Sequence, residues 1–481
     1  MTDFGIAEVT FKTALRAALI APLALAAGYA VSHEMRRQST AGGRALGCLL
    51  LVTLVAPDLI AGYGYWSFSL SLARHPGWNE ALLTLLIGLK ASVVAAVILY
   101  FSPESPLTPA GRRLLDLARG RMPAASRLRI GAYAGLVRLL PALAIAFLFA
   151  FQQFELPSLM GGTAWTVTLF DRQALVPDLS ESADPLVWPL MIELVALGPV
   201  VAFLMRSVTA NRRSVPAAKS AFAINATAWS VATLAALLTA AVPFGILLYE
   251  GAGGLSYLAA ATPTAIGYWR EVSVALAYGT TAGVAAYFAG AGILRLVASV
   301  RWRRGGLALL ALACLPGLSG PLVPSLAAVE LLQRPMLLPV RDTILPLIVV
   351  LTLSLLPRAI LLEALARFAR DQAAVHLSRR LRSSPSKAQR SSGRRLLWSL
   401  EGFGRFCRVS LLAHWGYLDL TAAAILAPTA IVPVTVRLYN LMHYGHNPSL
   451  SAMTLVVVAV PIAAFASILL LRHLSLRFLV R

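Results

Sequence analysis

Acidic residues are scarce in this chain: 21 Asp and Glu stand against 42 Lys and Arg. Charge of either sign is thin, at 13% of residues, where soluble domains run near a quarter. That deficit excludes an ordinary water-soluble domain. Cysteine is rarer still. Cys48, Cys314 and Cys407 are scattered, and two of them lie in apolar runs, so neither a disulfide framework nor a spaced metal site is present. No G-x-x-x-x-G-K-[ST] occurs, so the chain cannot supply the phosphate loop of ATP hydrolysis, and Gly251, Gly253 and Gly254 read as a turn. H-E-x-x-H and G-x-S-x-G are missing too, which argues against a membrane-embedded enzyme. Met1–Thr10 contains Asp3 and Glu8 and lacks a basic start, so no cleavable leader is expected.

What is abundant is apolar surface. The 481 residues are 58% hydrophobic, with a mean hydropathy of +0.73. Such a chain implies a bilayer, where each crossing takes ~20 mostly apolar residues. Eleven spans are expected, near 11–32, 45–66, 81–101, 132–153, 187–205, 221–248, 271–297, 306–327, 343–361, 410–433 and 452–471. Lys90 in the third and His414 in the tenth make those two less uniform. The expected fold is an all-α polytopic membrane protein.

The basic residues divide by side. Alternate connections starting with 33–44, together with the tail from Arg472, hold 31 of the 42 Lys and Arg residues. The opposite connections hold only Arg74, Arg172, Arg270, Arg334, Arg341 and Arg437. The positive-inside rule then puts the C-terminus in the cytoplasm and the N-terminus outside. These charges read as topology signals beside anionic lipid. No nucleic-acid module accompanies them.

The sequence also echoes itself. "TVTLFD" at Thr166–Asp171 matches "TVRLYN" at Thr435–Asn440 at four positions, in identity or shape. The stretches before them, "FELPSLMGG" and "YLDLTAAAILAP", both carry an acid and then small residues. "LVTLVAPDLIAGYG" (51–64) parallels "LALLALACLPGLSGPLVP" (307–324), each an apolar helix broken by Pro and Gly. Similarity at half the chain length implies a tandem duplication. Two parallel halves are expected, 1–215 with five spans and 216–481 with six. Each has one long basic cytoplasmic connection, 103–130 and 358–409. Within the second, the Ser/Arg-rich stretch 382–395 is expected to be a mobile insert.

Ionisable groups inside hydrocarbon are functional suspects, because each costs at least ~2.5–3.5 kcal/mol on insertion scales. Asp58, Lys90, Glu155, Glu193 and Asp419 qualify. Lys90 is expected to pair with Asp58 or Glu193. Glu155 and Asp419, at matched helix ends, are candidates to line a pathway between the halves. Near the C-terminus, "VTVRLYNLMHYG" (Val434–Gly445) carries Arg437, Tyr439, Asn440 and His443 and reads as an outside segment with interfacial aromatics.

"LDLTAAAILAP…VTVRLYNLMHYG" resembles the C-terminal half of ferric-iron-type ABC importer permeases, and "FLFAFQQFELPSLMGG" looks like its first-half counterpart. The resemblance covers most of the chain and is sharp in these two stretches. It implies a type I importer fold with two fused halves, each docking one copy of a separate cytoplasmic ATPase subunit through a coupling loop. An extracytoplasmic binding protein would deliver the cargo, which in relatives of this architecture is ferric iron, thiamine, phosphonates or polyamines. The chain itself would need no cofactor. In the family the coupling loop reads Glu-Ala-Ala with a later Gly. Here Gln372-Ala373-Ala374 stands in that place after Asp371, with Gly393 as the displaced glycine. In the first half the nearest match is "DLARGR", with Asp116, Ala118 and Gly120. A secondary carrier with parallel repeats, driven by an ion through the intramembrane acids, is the alternative.

Overall fold

The computed structural model describes residues 5–38, 40–72, 74–102, 117, 122–175, 183–207, 222–259, 263–299, 301–315, 320–369, 371–428, 430–442 and 447–478. Among these residues every regular element is a helix. The first half contains α1 (Ile6–Arg37), α2 (Thr40–Val55), α3 (Asp58–Ser71), α4 (Pro76–Phe101), α5 (Ala124–Phe151), α6 (Glu155–Leu159), α7 (Trp165–Leu175) and α8 (Ala183–Ser207). A π turn, Leu237–Ala241, joins α9 (Phe222–Ala236) to α10 (Val242–Gly251). Then come α11 (Pro263–Ala298), α12 (Arg303–Cys314), α13 (Leu322–Leu332) and α14 (Leu345–Ala369). The chain ends with α15 (Gln372–Arg382), α16 (Lys387–Leu397), α17 (Phe403–Tyr417), α18 (Thr421–Leu426), α19 (Val434–Met442) and α20 (Pro448–Phe478). The expected boundary at 215/216 falls outside the described residues.

Among the described residues eight helices are long and apolar enough to cross a membrane, and the bent pair Ala41–Val55 and Asp58–Ser71 has the length and composition of a broken span or a re-entrant loop. These coincide with nine of the eleven expected spans. The other two, 306–327 and 410–433, are each divided into shorter helices, α12 with α13 and α17 with α18. Many of the long helices present large apolar side chains outward, among them Phe11, Leu23, Val195 and Phe288. Hydrocarbon tolerates such faces and water does not.

Small residues let some of the helices touch backbone to backbone. A Cβ on Gly279 of α11 would lie 2.4 Å from the Tyr417 nitrogen, and one on Gly283 would lie 2.5 Å from that of Ala413. The pair is a Gly-x-x-x-Gly seam against α17, the close approach favoured between helices in lipid. Gly28 of α1 meets α4 in the same way, 2.8 Å from the Ala96 nitrogen.

Elements from the N-terminal and C-terminal parts of the chain also interlock. Leu59, Ile60 and Tyr63 of α3 belong to the core built mainly by α11, α14 and α17–α20. In return, Leu322 and Leu326 of α13 enter the core built by α1, α4, α5 and α7. Tyr65 adds a bond from its hydroxyl to the Leu238 carbonyl in the π turn, at 2.9 Å.

The connection 358–409 is mostly helix. α14 runs on to Ala369, which places Arg358 inside it beside Pro357. Where a mobile insert is expected over 382–395, α16 begins at Lys387 and packs against α15 as a hairpin. The reason is local. Asp371 caps α15, its carboxylate accepting from the Ala373 and Ala374 nitrogens at 3.0 and 3.3 Å. Gly393 lets α16 cross within 2.5 Å of the Arg382 nitrogen, measured from an ideal Cβ.

Candidate functional site

The bend between α2 and α3 follows from Pro57. Proline has no N–H to continue the α2 ladder, and the chain turns by 77° there. The last carbonyls of α2 consequently lose their partners within the helix. Buried in a membrane, such groups need other donors. Three side chains supply them. Lys90 Nζ of α4 donates to the Ala56 carbonyl at 2.8 Å. His414 Nε2 of α17 lies 2.8 Å from the Val55 carbonyl, and Trp415 Nε1 reaches the Leu54 carbonyl at 3.5 Å. The polar residues that interrupt the third and tenth expected spans thus meet at the bend. Two of the three donors come from the other half.

Charges collect around the same bend. Lys90 also forms an ion pair with Asp58, the first residue of α3. Glu155, at the start of α6, faces the Leu59 backbone N–H and interacts electrostatically with Asp58, Asp419 and Lys90. Asp419, before α18, accepts from the Ala422 nitrogen at 2.8 Å. Glu155 and Asp419 therefore each sit where a helix start offers unpaired N–H donors and a positive dipole end. Arg358 completes the group. It interacts with all three carboxylates, and its guanidinium stands 5.7 Å from the Trp415 ring centroid, within cation–π range.

The result is a cluster of three acids and two bases drawn from the N-terminal and C-terminal parts of the chain. Asp58, Lys90 and Glu155 come from the first, Asp419 and Arg358 from the second. Asp58, Glu155 and Asp419 remain partly accessible, whereas Lys90 is 6% exposed. Among the described residues no three His, Cys, Asp or Glu side chains converge closely enough to hold a metal ion. The acids feel each other's charge without sharing one ligand sphere.

The fourth intramembrane acid lies apart. Glu193 of α8 is fully buried, and its carboxylate accepts from Gln152 Nε2 at 3.2 Å. It is not among the charges acting on the cluster.

The echoed segments are packed helices. Val434, Leu438 and Met442 of α19 are buried, Arg437 pairs with Glu271 of α11 at 3.0 Å, and Asn440 is exposed. Tyr439 hydrogen-bonds to Ser158 of α6 at 2.7 Å. In both echoes the leading threonine staples its helix back to the preceding junction. Thr166 Oγ1 donates to the Gln153 carbonyl at 2.7 Å, and Thr435 Oγ1 donates to the Asp419 carbonyl at 3.4 Å. His443 lies outside the described residues.

Ser158 also borders a cavity of about 640 Å³, lined among others by Lys12, Trp66, Asn79, Glu80 and Gly161. Of the expected coupling residues, Asp371 is a helix cap, Ala373 is exposed, Ala374 is half-buried and Gly393 is the buried crossing point. Gln372 starts α15, but its side chain is outside the described set, as are Asp116, Ala118 and Gly120 entirely.

Sequence reasoning did not include Arg358, His414 or Trp415 in the site. Arg358 reads as a loop charge because it follows a proline, and the two α17 residues lie more than 350 positions from the carbonyls they serve. No family model, curated protein or solved structure matches this chain.

Proposed function

We propose that this chain is the membrane-spanning permease subunit of an ATP-driven importer, with the pathway for a small solute running between its halves. The observation that carries the reading is the charged cluster. Asp58, Glu155, Asp419, Lys90 and Arg358 gather from both halves at a broken span, where ionisable groups in a membrane most often serve transport.

The twice-used order of long helix, short helix and echoed helix supports two tandem, parallel-repeat halves of type I importer architecture. The α15–α16 hairpin, with Ala373 exposed at its start, suits a docking element for a cytoplasmic ATPase subunit. Two such subunits and an extracytoplasmic binding protein complete the assembly, and ATP is hydrolysed by the partner. By resemblance the cargo is ferric iron, for which hard oxygen groups are fitting neighbours. The basic connections put the C-terminus in the cytoplasm of a plasma membrane.

A second reading is an ion-coupled carrier. The bend favours it, because broken helices with free carbonyls hold coupling ions in such proteins. Co-purification separates the two. The chain is tagged after Arg481, extracted gently from native membranes, and its companions are identified by mass spectrometry. A stoichiometric ATPase with a phosphate loop, at two copies per chain, is the expected result. A folded, monodisperse chain with no ATPase would overturn it in favour of the carrier.

A further inference from the structure

We propose that the bend between α2 and α3 is a monovalent-cation site whose resident cation is the chain's own Lys90 ammonium. The ligand set points there. A buried ammonium must place three N–H donors, so the oxygens around it show what the site offers a cation. Lys90 Nζ takes the Asp58 carboxylate together with a main-chain carbonyl released by the bend, that of Ala56 at 2.8 Å. Unwound carbonyls beside the end of a half-helix are the ligands broken-helix transporters offer to a bound ion.

Neighbouring groups narrow the site to this one position. His414 and Trp415 already meet the Val55 and Leu54 carbonyls, which leaves the Ala56 carbonyl and Asp58 for a cation. Lys90 reaches them from α4, across the core, and is 6% exposed. Its ammonium is close to K⁺ in size and takes the same oxygen partners.

A tethered ammonium has a consequence that a free ion lacks. Its local concentration is fixed by the chain, so the bend stays neutralised whatever ions lie on either side. The inference rests on the bend alone and does not depend on the ATPase reading. It does remove one place where an ion-coupled carrier would bind its ion.

The test uses the full chain with Lys90→Ala, in nanodiscs of neutral lipid. Thermal unfolding is followed in choline chloride, KCl, NaCl and methylammonium chloride at equal ionic strength. The unaltered protein should unfold at the same temperature in all four salts. Lys90→Ala should unfold earlier in choline and recover, saturably, with K⁺ or methylammonium. Lys90→Met, which fills the space with an apolar stem, should unfold early in every salt.

Two outcomes overturn the proposal. A Lys90→Ala midpoint identical in all four salts makes Lys90 a plain ion pair. An unaltered protein whose midpoint itself rises with K⁺ or Na⁺ makes the resident cation a free ion. If Lys90→Ala does not survive choline, its monodisperse yield after extraction in each salt is compared, and equal yields sink the idea.

Discussion

Ser158 and Tyr439 join their hydroxyls at 2.7 Å across 281 residues of sequence, linking α6 of the first half to α19 of the second. The bond lies at the edge of a cavity and one turn of helix from Glu155. A hydroxyl pair of this kind contributes about 0.5–1.5 kcal/mol net. Ser158→Ala and Tyr439→Phe should therefore each destabilise the protein. The double variant should cost less than the two single losses added, by about that amount. Strict additivity in denaturant midpoints would show that the two hydroxyls do not cooperate.

Two glycines of one helix should respond with opposite signs. Gly283 has backbone where a Cβ would go, 2.5 Å from the Ala413 nitrogen, whereas Gly292 has open space. Alanine gains up to about 1 kcal/mol over glycine in a helix interior. Overpacking against backbone costs about 1–3 kcal/mol. Gly283→Ala is thus expected to lower the unfolding temperature and Gly292→Ala to hold or raise it. Equal shifts would remove the Gly-x-x-x-Gly seam from the account of α11 and α17.

Sidedness can be read by chemistry. In a chain whose native cysteines are replaced by serine, Ser386→Cys and Ser71→Cys introduce exposed thiols that the proposed orientation puts on opposite sides of the membrane. A membrane-impermeant maleimide applied to intact cells is expected to label Ser71→Cys alone. Inside-out vesicles should reverse the result. Labelling of Ser386→Cys in intact cells would invert the proposed orientation.

The hairpin can be probed where it is accessible. Ala373 is exposed and Ala374 half-buried at the start of α15. Replacing both with Asp adds charge to the proposed docking face. ATP-dependent uptake should be abolished while the amount inserted in membranes is unchanged. Uptake at the unaltered rate would leave α15 with a structural role only.

Much of this arrangement was legible in the sequence, and the exceptions share a cause. Hydropathy located the long spans because lipid leaves little else for a run of ~20 apolar residues to do. Pro57 announced a break, and the cost of leaving Lys90 alone in hydrocarbon called for an acid partner, Asp58 or Glu193, of which the structure takes Asp58. Local rules fail where partners are remote. Nothing near His414 indicates that it serves the Val55 carbonyl. Glu193 looks like its fellow acids by composition, yet α8 carries it to Gln152 instead. The α15–α16 hairpin failed differently. Its Ser- and Arg-rich composition suggests disorder, yet those same residues hold the hairpin: Asp371 caps α15, Gly393 allows the crossing, and Arg390 donates to the Ser384 and Pro385 carbonyls at 3.0 and 2.7 Å.

The seam at Gly279 and Gly283 has a mechanical side. Because the main chains of α11 and α17 touch, no layer of side chains lies between them to be compressed. α17 follows α16 through the π turn Trp398–Gly402 and ends at Tyr417, with Leu418 alone between it and Asp419. On the proposed docking of an ATPase at the α15–α16 hairpin, α17 is the direct covalent link from that hairpin to Asp419, and the backbone seam holds it against α11.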